Sequence, residues 1–296
     1  TTNFRAVGLT GAADASGNWW GTTDQSVVAA HIVGTVDFTP YFHTGTDTSG
    51  AAGFQGDYSA LDVVRIGAQV GSGPRIQEAI DMVTGSTVYV HAGLYVEDVD
   101  ANVAHLNLYG AHQGDAVAGR TFGDATEATI QGKVRISATD VTFDGFSVTT
   151  AVHAGSLTGI LVESSGDGAA IANSIISDIT STSPNTNGTN AQAIYLERGP
   201  DDVSITGNRI ATVSSYGSAK GIYVGDSTAN DPSTGVLIDG NVITGVTSTA
   251  RGAYGIQHNN GLTGGGHAQL TISGNTISSL TGGWVHGIGI EADAPT

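Results

Sequence analysis

One motif recurs at a fixed interval in the C-terminal half of this chain. Val203–Ile210 reads VSITGNRI, Val236–Ile243 reads VLIDGNVI and Leu270–Ile277 reads LTISGNTI, all of the form apolar-x-Ile-x-Gly-Asn-x-Ile. The asparagines fall at 208, 241 and 275, in steps of 33 and 34 residues. A regular period in this range belongs to repeat architectures, whose units bury their apolar faces only against one another. Two looser copies extend the series: Val141–Val148 with Phe146 in the asparagine place, and Ala169–Ile176 with Asn173 and Ser174 in the Gly-Asn places. A second series interleaves with the first: Gly159-Ile160, Ala193-Ile194, Gly221-Ile222, Gly255-Ile256 and Gly287-Ile288. Each repeat therefore contributes several short strands.

The physical reading is an all-β solenoid. Alternating Ile and Val point into a shared interior, and successive coils pair in parallel about 4.8 Å apart. The glycine before each ladder asparagine permits a sharp corner. Asn208, Asn241 and Asn275 are then expected to bond from coil to coil as a structural ladder. Insertions at 181–191 and 225–235 vary in length and map to surface loops. One helix stands out: Pro74–Val83 (PRIQEAIDMV) has proline near its start, Ile76, Ala79, Ile80 and Val83 at helical spacing, and Gly85 to stop it. Strand signals follow at Ser86–Val90, Leu94–Val99 and His105–Tyr109, then a loop over 110–127.

Composition removes several function classes. The net charge is −17 and the only lysines are Lys133 and Lys220, so neither nucleic-acid binding nor an anionic membrane surface is expected. Cysteine is absent, which excludes disulfides and thiolate metal sites. No apolar run reaches the roughly 20 residues that a spanning helix needs. The first residue is Thr1 rather than Met, and the expectation is a processed or excised piece of something longer.

With these residues in place the chain resembles the right-handed parallel β-helix of the pectin-lyase-like superfamily. Residues 74–83 followed by GSTVYVHAGLYVEDV resemble the N-terminal capping helix and first coil of those proteins, and the likeness covers residues 74–296. It implies a solenoid with one N-terminal capping α-helix. It leaves activity open, because the fold hosts enzymes, adhesins and inert stalks.

The first 73 residues fit differently. Ala13–Trp20 (ADASGNWW) repeats the ladder pattern with its corner at Gly17-Asn18, and Val36–Tyr41 reads VDFTPY. The GNWWG…VDFTPY pair resembles segments that close the C-terminal end of β-helix repeats in large bacterial surface proteins. Here it precedes the helix, so residues 1–41 read as a displaced closing coil and 42–73 as a linker or crossover. At the other end Ile288 and Ile290 open a coil that lacks a Gly-Asn partner. Two arrangements follow: residues 1–41 fold back over the C-terminal coil of their own chain, or they complete a neighbour, as donated strands do. Trp19 and Trp20, with Ile288 and Ile290, are the expected assembly residues, and head-to-tail pairing that does not close gives filaments.

Signs of chemistry are sparse. Gly93, Tyr95 and Glu97 form a GxYxE that resembles the first signature of pectin methylesterases, but the later aspartate motifs of that family are missing. Asp201-Asp202 lacks the companion motifs of polygalacturonases, and Arg198, Arg209 and Arg251 share no lyase pattern. No catalytic residue is assigned. Nine histidines (31, 43, 91, 105, 112, 153, 258, 267 and 286) form no HxH or HExxH pair. His258 and His286, joined by Tyr223, are candidates for a sugar-stacking stripe on one face. Calcium is the ion that acidic loops at Glu97–Asp100, Asp201-Asp202 and Asp226 with Asp231 suit best; no other cofactor is expected. The reading is a non-enzymatic extracellular or cell-surface module of a fibre, sheath or adhesin. The alternative is a β-helix that binds or degrades polysaccharide.

Overall fold

The chain is described by a computed structural model covering residues 3–69, 74–184, 189–226, 233–260 and 269–292. The chain opens with β1 (Phe4–Ala6), β2 (Ala13–Asp14), α1 (Gln25–Ala30), β3 (Ile32–Gly34), β4 (Val36–Asp37), β5 (Tyr41–Phe42), β6 (Ala60–Val63) and α2 (Arg75–Met82). Rungs of three strands follow. The first is β7 (Thr87–Val90), β8 (Gly93–Tyr95) and β9 (Val99–Ala101), and the second β10 (Asn107–Tyr109), β11 (Ala128–Gln131) and β12 (Val134–Ile136). The third is β13 (Thr142–Asp144), β14 (Ser147–Thr149) and β15 (Leu157–Val162), and the fourth β16 (Ala170–Ala172), β17 (Ile175–Thr180) and β18 (Ala191–Glu197). The fifth is β19 (Ser204–Thr206), β20 (Arg209–Ser215) and β21 (Ala219–Asp226), and the sixth β22 (Val236–Asp239), β23 (Val242–Ser248) and β24 (Gly252–Asn260). The last is β25 (Leu270–Ser273), β26 (Thr276–Thr281) and β27 (Trp284–Ala292).

Equivalent strands stack into three long sheets, a nine-stranded one running from β25 to β5 and two seven-stranded ones. Their pairings are parallel except β5 on β6. In-register pairing turns sequence alternation into columns. Leu61, Val88, Leu108, Phe143, Ile171, Ile205 and Ile238 lie one above another on the nine-stranded sheet, each with 0% exposure. Burying one such side chain contributes about 1.5–3 kcal/mol, and the solenoid repeats that gain at every rung.

One expectation about the N-terminal region is corrected, and one of its two open arrangements is not the one seen. Residues 42–73 are not only a linker: β6 joins the nine-stranded sheet, and Leu61 and Val63 are fully buried. The leading segment does not lie over the C-terminal coil of its own chain. β1 pairs with β3 and β2 with β4, both parallel, and Ala15, Val28, Val36, Phe38, Tyr41 and Val64 form a small core beside β6. The Tyr41 hydroxyl donates to the Thr23 carbonyl at 3.0 Å, and Asp24 caps α1 by accepting from Ser26 N and Val27 N. Buried Ile76, Ala79 and Ile80 of α2 join the main core at this same end. The expected strand 94–99 is broken: Val96 is exposed, because the chain turns a corner between β8 and β9.

Candidate functional site

The Gly-Asn corners carry the chain from the nine-stranded sheet to its neighbour. Gly207, Gly240 and Gly274 have φ of 63°, 66° and 61°, a left-handed conformation that glycine adopts without strain. Asn173 stands in the glycine place with φ 45°, as asparagine tolerates. Asn208 and Asn241 have 0% exposure. The backbone N–H and Nδ2 of Asn208 both donate to Asn241 Oδ1, at 2.9 and 3.0 Å. Asn241 repeats the pair on Asn275 Oδ1, each at 2.9 Å. Ser174 carries the series one step further, its N–H donating to Asn208 Oδ1 at 2.9 Å and its Oγ accepting from Phe146 N at 3.2 Å. Asn18 lies at the α2 end, away from this ladder, with Nδ2 donating to the carbonyls of Ala15 and Ser16.

The two ends of the solenoid differ. At the α2 end the interior is covered. At the other end the columns continue into a last rung that nothing covers among the described residues: Ile256 is fully buried, while its neighbour Ile288 is 49% exposed. Beside them His258 is 5% exposed and Ile290 67%. Trp284 and Val285 are exposed too, the Trp284 Nε1 donating to Tyr254 Oη at 2.8 Å. Among the described residues no strand pairs with the outer edges of β25, β26 and β27. Trp19 and Trp20 are not at that end. Trp19 packs against the core near α2, and Trp20 meets Phe4 and Phe38 edge-on at 6.1 and 6.5 Å.

A groove of about 660 Å³ opens on the outer face of the nine-stranded sheet beside the leading segment, lined among others by His43, Asp62, Tyr89, His91, Tyr109 and His112. Register builds it: Asp62, Tyr89 and Tyr109 are consecutive outward residues of one column. The Asp62 carboxylate, 2% exposed, lies 2.8 Å from His43 Nδ1 and 2.7 Å from His91 Nε2. An ionised carboxylate only accepts, so those ring nitrogens carry the protons and His43 Nε2 and His91 Nδ1 are left as acceptors in the neutral rings. The His43 ring stacks on Tyr89 at 4.3 Å, and Tyr109 follows at 5.8 Å. The 110–127 loop forms the opposite wall. It is pinned by Arg120, which bonds the fully buried Glu127 through two nitrogens at 2.9 and 2.7 Å, and by Arg209, whose Nη2 donates to the Arg120 carbonyl at 2.8 Å. Sequence reading missed this cluster, since its members sit 19 and 29 residues apart.

The other candidates have local roles. Tyr95 of the GxYxE points inward, donating to the His91 carbonyl at 2.9 Å, and burial pushes its phenol pKa up. Glu97 accepts from the N–H groups of Arg75, Ile76 and Gln77 at the start of α2; burial outweighs these bonds and raises its pKa. Asp98 accepts from Lys133 N, Asp100 is paired with Arg135, and Asp201 accepts from Thr234. Asp231 and His267 lie outside the described residues, and no cluster of three or more His, Asp or Glu among the described residues could hold a metal ion. The expected stripe of Tyr223, His258 and His286 does not form one face. His258 is inward, in the column between Val224 and Ile290. Tyr223 is outward, stacked on Tyr195 at 4.9 Å with Lys220 Nζ 3.4 Å from its ring centroid. His286 stacks on Tyr254 in the adjacent outward column. Comparisons with protein-family models, curated proteins and solved structures find no significant match to this chain.

Proposed function

We propose that this chain is a non-enzymatic structural module, a right-handed parallel β-helix with α2 as its N-terminal cap, that stacks end to end in an extracellular or cell-surface fibre, sheath or adhesin. The observation behind this reading is the exposure of the last described rung: columns buried to 0–5% in the sixth rung rise to 49% and 67% at Ile288 and Ile290. An apolar sheet end with unpaired edges is a template for pairing with another chain. Right-handedness follows the rule for parallel strands joined by a crossover. Sedimentation velocity over a concentration series tests the proposal. The expected result is a weight-average sedimentation coefficient that climbs with concentration, and a single monomer boundary at every concentration contradicts it.

The groove supports a second reading, a saccharide-binding surface. Tyr89, Tyr109 and His43 offer flat ring faces beside hydrogen-bonding groups, the combination a pyranose ring fits. With a net charge of −17, long-range repulsion favours neutral glycans over polyuronates. Calorimetric titration with neutral oligosaccharides should show binding that Tyr109→Ala weakens about tenfold or more. Heat identical for the variant and the parent removes this reading.

A further inference from the structure

Resting on the end-to-end reading above, the geometry points to the occupant of the open rung and to its register: the Gly17-Asn18 corner of a second copy seats on the Asn275 corner and continues the asparagine ladder across the junction. Gly17 has φ 62°, within the 61–66° of the three ladder glycines. Asn18 Nδ2 donates to the carbonyl two residues back at 3.2 Å, as Asn241 does at 3.2 Å and Asn275 at 2.7 Å. The bonds to the following rung also match. Gly17 N donates to Pro40 O at 2.7 Å, as Gly240 N does to Ser273 O at 3.1 Å, and Phe42 N donates to Asn18 O at 3.0 Å, as Thr276 N does to Asn241 O at 2.8 Å. β2 pairs in parallel with β4 as each strand before a ladder corner pairs with its successor. Residues 13–18 thus form a rung corner whose following neighbour is present and whose preceding edge has no strand on it among the described residues.

The two ends supply the two halves of one ladder step. Each internal step needs an upper backbone N–H and a lower Oδ1. Among the described residues the Asn275 N–H has no acceptor and Asn18 Oδ1 no donor. Asn18 is exposed, whereas Asn208 and Asn241 are fully buried. Aligning the corners sets Leu270, Thr271, Ile272 and Ser273 against Ala13, Asp14, Ala15 and Ser16, and the strand polarity agrees. Exposed Val7 and Leu9 (56% and 60%) bring apolar surface on the same segment. Because one end of the copy meets the opposite end of the next, the contact is heterologous and extends without limit unless it bends into a ring.

The chain has no cysteine, which makes the register testable. Facing residues of paired strands are within disulfide reach, so the full-length Asp14→Cys, Thr271→Cys double variant should give a ladder of disulfide-linked dimers, trimers and longer species under mild oxidation. Each single variant should give none beyond random background. Asn18→Ala should weaken association about tenfold with unchanged circular dichroism. A double variant that assembles by light scattering yet does not cross-link overturns the register and leaves end-to-end stacking standing. A dimer from Thr271→Cys alone means that two open ends meet each other, and overturns the inference. A parent chain that stays monomeric removes both.

Discussion

At Asn241 a single buried amide accepts two hydrogen bonds from Asn208 and donates to Ile205, Asp239 and Asn275. Truncation strands several of these partners in a dry interior. Asn241→Ala should cost about 2–4 kcal/mol in chemical denaturation, while the same change at exposed Asn18 should cost far less. Glu97 gives a pH signature. Its folded-state pKa is raised by burial, so its stabilising contribution is complete below the unfolded value and is lost as pH rises through the folded one. Denaturation midpoints measured from about pH 4 upward should fall for the parent, with a component that Glu97→Gln abolishes. Parallel curves for the two proteins exclude that assignment. The corner residues were legible because a Gly-Asn step serves two needs at once, a left-handed turn and a buried amide.

Among the elements, the coil strands were legible where Ile and Val alternate over a repeated frame, as in β19, β22 and β25. β6 was not, because ALDV sits between Gly-, Ser- and Thr-rich stretches and gains its place only by pairing with β7. His258 was misplaced for a simpler reason: in a strand, residues two apart share a face, so an inward Ile256 makes His258 inward as well. The groove was invisible because Asp62, His43 and His91 meet only through register. The 110–127 loop has no strand, yet the Arg120–Glu127 pair anchors it. Arg120→Ala leaves the buried Glu127 carboxylate with only the Ser147 hydroxyl and the His112 ring beside it and should cost about 3 kcal/mol by thermal or chemical unfolding. An Arg120→Ala, Glu127→Gln double variant should recover part of that loss.

Among the described residues the stacked rungs carry α2 and a small second core at one end and an unpaired last rung at the other, and the proposed end-to-end association rests on that asymmetry. Stability in such a stack is local, so the terminal rung frays first. Ile290→Lys places a charge on the open end, far from α2 and the groove. It should abolish association while leaving the melting temperature of the dilute chain within about 2 °C, since a surface substitution stays within about 0.5 kcal/mol. The most direct measurement is electron microscopy of the purified chain at rising concentration. End-to-end stacking predicts rods whose lengths are whole multiples of one module, joined the same way round at every junction. Isolated modules at all concentrations, or pairs that stop at two, would contradict it.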